Sequence, residues 1–200
     1  MPTQGERSEP WERTNNNESL TIMRILESER LIMKPVEPAD LPYLMEQRWD
    51  ADLTDHIIHN PISSYTQQQW YERICRNGDV VLSIFYKHPE GEPELLGAVG
   101  LYDINMRHQR ATVKTMRIPT KFQGLGIASE ALAMLIEYGF NTLNLHKITC
   151  DTFADNLGTI KHLEKVGLRQ EGRLRKHYFH QGEYKDALIY SILREDFKSN

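Results

Sequence analysis

Between residues 125 and 143 the apolar positions recur with a helical period. Ala128, Leu132, Leu135, Ile136, Gly139, Phe140 and Leu143 fall on one stripe, as a helix with one buried face requires. The spacing predicts a helix over 125–143, the longest in the chain. Three shorter stretches repeat the pattern. Leu41, Leu44, Met45 and Trp49 predict a helix over 40–50. Trp70 and Ile74 supply the apolar face of another, opened by a Thr66/Gln69 capping box and ending near Gly78. Ile160, Leu163 and Val166 mark the last, capped by Asp155-Asn156 and stopped by Gly167. Extended segments fill the intervals: 30–36, 80–86, 95–104, 110–118 and 147–153, then a hairpin of 169–179 with 183–193 around Gln181-Gly182. Prolines punctuate them, Pro35 and Pro38 after the first and Pro119 after the fourth. The sum is about seven strands and four helices in one α/β unit without internal repeats. Residues 1–20 are polar, with Trp11 and Leu20 as sizeable apolar anchors, too few to offset the entropy of ordering. The expected division is a flexible tail over 1–22 and a single domain over 23–200.

Composition narrows the function classes. Forty per cent hydrophobic and 26% charged residues are ordinary for a globular domain. A net charge of −4 argues against general nucleic-acid binding. No apolar run approaches a membrane span, and the first twenty residues lack the apolar core of a secretory signal. Cys75 and Cys150 stand apart with no C-x-x-C spacing, which suggests neither a disulfide framework nor a metal site and points to a reducing compartment. The expectation is a cytoplasmic protein, monomer or homodimer, without a metal.

Candidate chemistry gathers at Phe122-Gln123-Gly124-Leu125-Gly126-Ile127-Ala128-Ser129, between a strand and the long helix. Glycines there let backbone N–H groups converge on one ligand oxygen, and the helix adds its own unpaired N–H groups and positive dipole end. Such a joint suits a phosphate. From Ile104 to Ser129 there is no Asp or Glu, whereas Arg107, Arg110, Lys114, Arg117 and Lys121 fall inside. A solvated strand-to-helix turn accounts for the glycines equally well. A dinucleotide fold fits poorly: Gly124-x-Gly126-x-x-Ser129 is a blemished fingerprint, and Asp151 lies inside a strand rather than at its end. A G-K-[ST] phosphate loop is absent.

The stretch Gln123-x-x-Gly126-x-Ala128 resembles the Q/R-x-x-G-x-G/A pyrophosphate signature of the GNAT N-acetyltransferases. Leu145-His146-Lys147-Ile148, Asn156-x-x-Thr159 running to Leu163-Glu164-Lys165-Val166-Gly167-Leu168, and Gly182-Glu183-Tyr184-x-Asp186 through Leu193-Arg194-Glu195-Asp196-Phe197 are similar to the branch of ribosomal-protein N-terminal and nucleotide-amino-sugar acetyltransferases. The resemblance spans about residues 23–197. It implies a mixed, mostly antiparallel sheet and acetyl-CoA as co-substrate. The pyrophosphate would sit on Gln123, Gly124, Leu125, Gly126, Ile127 and Ala128. The pantetheine arm would lie along Met116, Arg117 and Ile118, and Asn156 and Thr159 would lie at its acetyl end. A primary amine would be the acceptor, on a protein N-terminus or a small molecule; a nucleotide-linked amino sugar and a non-catalytic acyl-CoA sensor are the alternatives.

The resemblance is weakest at the chemical groups. The tyrosine many relatives use to protonate the thiolate is matched by Leu163. A serine given that role in the ribosomal-protein enzymes is matched by Thr159, whose hydroxyl either meets the thiolate or caps the helix. A carboxylate base is matched by Tyr178, which is not a ready base at neutral pH. His177 and His180 titrate in the right range, and Asp103 or Glu94 through a water is equally open. Arg173, Arg175 and Lys176 either greet an anionic acceptor or are solvated. Trp49, Trp70 and Tyr71 line an acceptor pocket or pack the core.

Overall fold

The computed structural model of the chain describes residues 26–50, 53, 62–114 and 117–198; the tail expected over 1–22 lies outside them. One sheet holds eight strands in the order β1-β2-β3-β4-β5-β6-β8-β7. They are β1 (Leu26–Glu27), β2 (Leu31–Pro35), β3 (Val80–Tyr86), β4 (Glu94–Asn105), β5 (Arg110–Lys114), β6 (Lys147–Phe153), β7 (Arg169–His180) and β8 (Glu183–Leu193). Every pairing is antiparallel except β5 with β6, so the mixed, mostly antiparallel sheet expected above is found. The strand beyond the seven foreseen is the two-residue β1.

Four α-helices cover the sheet: α1 (Leu41–Glu46), α2 (Ser64–Asn77), α3 (Ile127–Asn141) and α4 (Leu157–Val166). The stripe read from the sequence buries Leu132, Leu135, Ile136 and Phe140 of α3 against Leu31, Met33, Leu82, Ile84, Val99 and Leu101. A second cluster joins α1 and α2 to the strands through Val36, Leu41, Leu44, Ile74 and Val81, with Trp70 and Tyr71 packed on it. Those two aromatics thus pack on the core, whereas Trp49 is exposed.

Several boundaries differ from the sequence reading. Helix α2 opens three residues earlier than the Thr66 cap, because Ser63 is the N-cap and its hydroxyl accepts from the Thr66 N–H. Helix α1 stops at Glu46, short of Asp50. Helix α3 starts at Ile127 because Gly126 adopts φ 79°, outside right-handed helical space. Strand β5 ends at Lys114, not Ile118.

The parallel pair matters most for function. β5 and β6 are in register only at Arg110–Lys147, Ala111–Ile148 and Thr112–Thr149. Beyond Thr149, β6 pairs with β8 alone, as far as Phe153. The two strands diverge inside an otherwise continuous sheet, leaving two facing backbone edges that pair with no strand among the described residues.

Candidate active site

The divergence opens a cleft of about 920 Å³. Val113, Lys114, Arg117 and Ile118 form one wall and Cys150, Asp151, Thr152 and Phe153 the other. The glycine loop and the first turns of α3 close one end, and α4, with Tyr178 from β7, lies across from them. Arg117, Ile118, Gln123, Gly124, Gly126, Ile127, Ala128, Asn156, Thr159 and Tyr178 thus converge on the cleft, whereas several other residues singled out from the sequence, His180, Arg173, Arg175 and Lys176 of the hairpin among them, do not line it. Leu125 is 52% exposed and points away, and His177 sits exposed on the hairpin, outside the lining. Met116 lies outside the described residues. Asp103 and Glu94 are held elsewhere, Asp103 by Lys114 at 2.6 Å and Glu94 by Lys121 at 2.6 Å and His88 at 3.0 Å. Those hydrogen bonds keep the Glu94 carboxyl below its usual range.

At the glycine end, Gly124 and Gly126 adopt φ 76° and 79°, where a side chain costs about 1–2 kcal/mol. Gly126 is the N-cap of α3 and supplies no side-chain cap. The first intrahelical bond runs from the Glu130 N–H to the Gly126 carbonyl at 3.0 Å, so the N–H groups of Ile127, Ala128 and Ser129 precede the helical ladder. Two cations stand over this point: a Cβ on Gly126 would lie 3.7 Å from Lys165 Nζ and 3.9 Å from Arg30 Nη2. Arg30 also braces the loop. Its Nη1 donates to the Leu125 carbonyl at 2.9 Å and its Nε to Glu130 at 2.9 Å, while Ser28 donates to the other Glu130 oxygen at 2.6 Å. This ties up the carboxylate of the first helical turn and leaves the N-terminus of α3 able to hold an anion. Gln123 has a bracing role as well, since its amide donates to the Ile118 carbonyl at 3.2 Å.

The Arg117 carbonyl oxygen lies 2.3 Å from where a Cβ on Gly97 of β4 would be; only glycine permits this approach. Arg117 is 6% exposed, and its guanidinium pKa is brought down to about 10 by burial first and then by the nearby charge of Arg48.

On α4, the Asn156 side chain is the cap, accepting from the Thr159 backbone N–H at 3.0 Å. The capping contact uses the Thr159 backbone, not its hydroxyl. Burial first and then the Asp151 charge push the Cys150 thiol up to about 12, so it lines the cleft as a neutral group and not as a nucleophile. Burial also lowers the pKa of His162, against a hydrogen bond with the Gly158 backbone. The Tyr178 hydroxyl donates to the Asp151 carboxylate, and its ring rests on Phe153 with centroids 4.7 Å apart.

Sequence reasoning missed Arg30, Lys165 and, as a chemical group, Asp151. Arg30 is remote in sequence from the loop it braces. Lys165 follows Thr159 by six residues on α4, and nothing before the structure placed α4 beside Gly126. The sequence places Asp151 inside a strand, where it argues only against a dinucleotide fold; the β6–β8–β7 order is what brings Tyr178 to it.

A family model described as an acetyltransferase (GNAT) domain matches residues 30–169. An uncharacterized N-acetyltransferase of Bacillus subtilis is 34% identical over 101 residues, a match that covers 50% of this chain and 56% of that protein. The spermidine N(1)-acetyltransferase of Escherichia coli strain K12 is 26% identical over 166 residues, covering 82% of this chain and 87% of that one. In fold, the crystal structure of a spermidine N-acetyltransferase from Vibrio cholerae in complex with CoA and spermine gives a TM-score of 0.75 at 24% identity, covering 84% of this chain and 98% of that one.

Proposed function

The chain belongs to the GNAT acetyltransferase family, whose domain model matches residues 30–169, and from that premise we propose that its cleft binds acetyl-CoA and passes the acetyl group to the primary amine of a small molecule. The family makes it an acyltransferase with acetyl-CoA as co-substrate. The observation that carries the residue assignment is the meeting of two features: the edges exposed where β5 leaves β6, and the N-terminus of α3 beneath Lys165 and Arg30. A diphosphate fits the amides of Gly124 to Ala128 with those two cations. An extended amide chain fits between the strand edges, near Arg117 and Ile118.

Bound acetyl-CoA supplies the activated thioester; the remaining work falls to this chain. The strand edges and Asn156 orient the arm, and positioning of this kind accounts for much of an acyl-transfer rate. Thr159 lines the cleft with a hydroxyl its cap does not use; it donates to the sulfur as charge develops there. An amine arrives protonated at neutral pH and must lose a proton before it attacks. Asp151 takes that proton, directly or through Tyr178, whose hydroxyl already donates to it. A carboxylate therefore stands next to Tyr178, supplied by β6. His177, outside the lining, has no step.

Two relatives described above are named for spermidine, which brings polyamines to the acceptor question. The sequence motifs bring protein N-termini and nucleotide-linked amino sugars. The test is release of free CoA from acetyl-CoA with polyamines, amino acids, peptides and amino sugars, with mass detection of one added acetyl group. We expect turnover with at least one small amine. Failure to bind CoA overturns the site, and CoA binding without turnover on any of these classes overturns the enzymatic reading.

A further inference from the structure

Beside Arg117, on the sheet face that carries α1 and α2, a recess of about 20 Å³ is lined by Gln47, Arg48, Gln67, Trp70 and Tyr102, with Arg117 shared between it and the cleft. Three facts about its walls point to a ligand. The Gln67 side chain is 2% exposed, and neither its Oε1 nor its Nε2 makes a hydrogen bond. A buried amide left so costs about 1–3 kcal/mol, which a folded chain tolerates where something else completes it. The Arg48 Nε is likewise buried without a partner, while its guanidinium lies over the Trp70 ring, 5.7 Å from the centroid. Finally, two arginines border the recess, Arg48 and Arg117; the charge of Arg48 acts on Arg117, that of Arg73 on Arg48, and that of Asp79 on the Tyr102 phenol beside them. Burial holds that phenol protonated, and Trp70 hydrogen-bonds to it.

We propose that this recess receives a carboxylate carried by the acceptor, so that the acetylated molecule is an amino acid or another small zwitterion and not a bare polycation. The volume holds one water-sized group: one carboxylate oxygen enters between Gln67 Nε2 and Arg48 Nε, and the second stays at the mouth beside Arg117. The four oxygens of a phosphate do not fit. Arg117, lining both spaces, sets the carboxylate close to the cleft in which the amine reacts. A polyamine offers this recess only cations and methylenes, which repel its arginines and leave Gln67 unsatisfied. The word acceptor here rests on the acetyltransferase reading above; the binding itself does not.

The test is therefore one of binding. The full chain, saturated with CoA, is titrated calorimetrically with matched pairs: lysine and 1,5-diaminopentane, phenylalanine and phenethylamine, methionine and 3-(methylthio)propylamine, with spermidine alongside. In at least one pair the carboxylate should tighten binding by about ten- to a hundredfold, as a charge-assisted hydrogen bond supplies. Gln67→Leu and, independently, Arg48→Met should erase that preference. Gln67→Leu should also melt no lower than the wild type without ligand, because it removes an unsatisfied buried amide; a merely structural Gln67 would give a lower melting point and an unchanged preference. Equal binding within every pair, binding by none of them, tighter binding of spermidine than of any amino acid, or a preference that survives Gln67→Leu overturns the proposal. Acetylation of another amine but of no amino acid overturns the proposal as well; if amino acids bind with the stated preference and neither they nor any other amine is acetylated, it is the acetyltransferase reading that falls.

Discussion

Gly126→Glu separates an anion site from an ordinary turn. The substitution forces a side chain onto a residue at φ 79°, which costs about 1–2 kcal/mol in the left-handed region and should lower the melting temperature by about 2–8 °C in a domain of this size. There is room for the Cβ, since its nearest neighbours are Lys165 Nζ at 3.7 Å and Arg30 Nη2 at 3.9 Å, so the fold should survive. The new carboxylate then pairs with Lys165, beside the Arg30–Glu130 ion pair, and occupies the place assigned to phosphate. A unit negative charge ~5 Å from a phosphate charge, at an effective dielectric of ~20, costs about 3 kcal/mol, or about a hundredfold in affinity. Gly126→Ala shares the backbone strain without the charge and serves as the control. CoA affinity measured calorimetrically, with melting curves recorded on the same samples, should show the glutamate variant at least about a hundredfold weaker than the alanine variant. A folded Gly126→Glu whose CoA affinity lies within threefold of Gly126→Ala would refute the assignment of the loop.

Thr159→Val should lower turnover by about ten- to a hundredfold, the worth of a hydrogen bond to developing charge. It should keep stability within about 0.5 kcal/mol, because the cap uses the backbone N–H, and Thr159→Ser should retain most activity. Wild-type turnover in the valine variant ends that role. Gly97→Ala puts a methyl 2.3 Å from the Arg117 carbonyl oxygen and should destabilise by about 1–3 kcal/mol as overpacking does, measured by urea unfolding; a change under about 0.5 kcal/mol refutes so close an approach of the two backbones. The depressed pKa of His162 means that the unfolded chain binds its proton more readily than the folded one. Stability should therefore fall as pH drops through about 6.5, the ordinary imidazole value, and continue to fall toward the lower folded pKa. His162→Gln should flatten that part of the pH–stability curve, and an unchanged slope would show the histidine to be solvated when charged.

Much of the fold was legible because helical stripes and strand alternation are written locally. The stripe from Leu132 to Phe140 is buried as read, and the Asn156 cap and Gly167 stop of α4 stand where they were placed. The errors share one cause. Ser63 displaced Thr66 as a cap, and Gly126 shortened α3, because several residues in a row satisfy the same local rule and tertiary packing chooses among them. The glycine loop was readable for the same local reasons. Its cations were not: Arg30 and Lys165 reach Gly126 from the residue before β2 and from α4, and no period in the sequence encodes that meeting. The Asp151–Tyr178 contact bridges strands separated by β8, which depends on strand order rather than composition. The unsatisfied amide of Gln67 was hidden too, since a glutamine on an apolar helix face looks like a surface residue until α1 covers it.

The parting of β5 from β6 has a consequence beyond chemistry. A sheet with two bare edges facing each other across a narrow gap lacks one strand, and in the proposed complex the missing member is the pantetheine arm. That makes the co-substrate a structural part of the native state. A ligand present at a hundred times its dissociation constant adds about 2.7 kcal/mol to the free energy of unfolding, a large share of what a domain ordinarily has. The molecule's resistance to proteases and to heat should accordingly rise and fall with the free CoA and acetyl-CoA around it. A cell that runs short of both would hold fewer copies of this protein through faster clearance alone, with no change in synthesis.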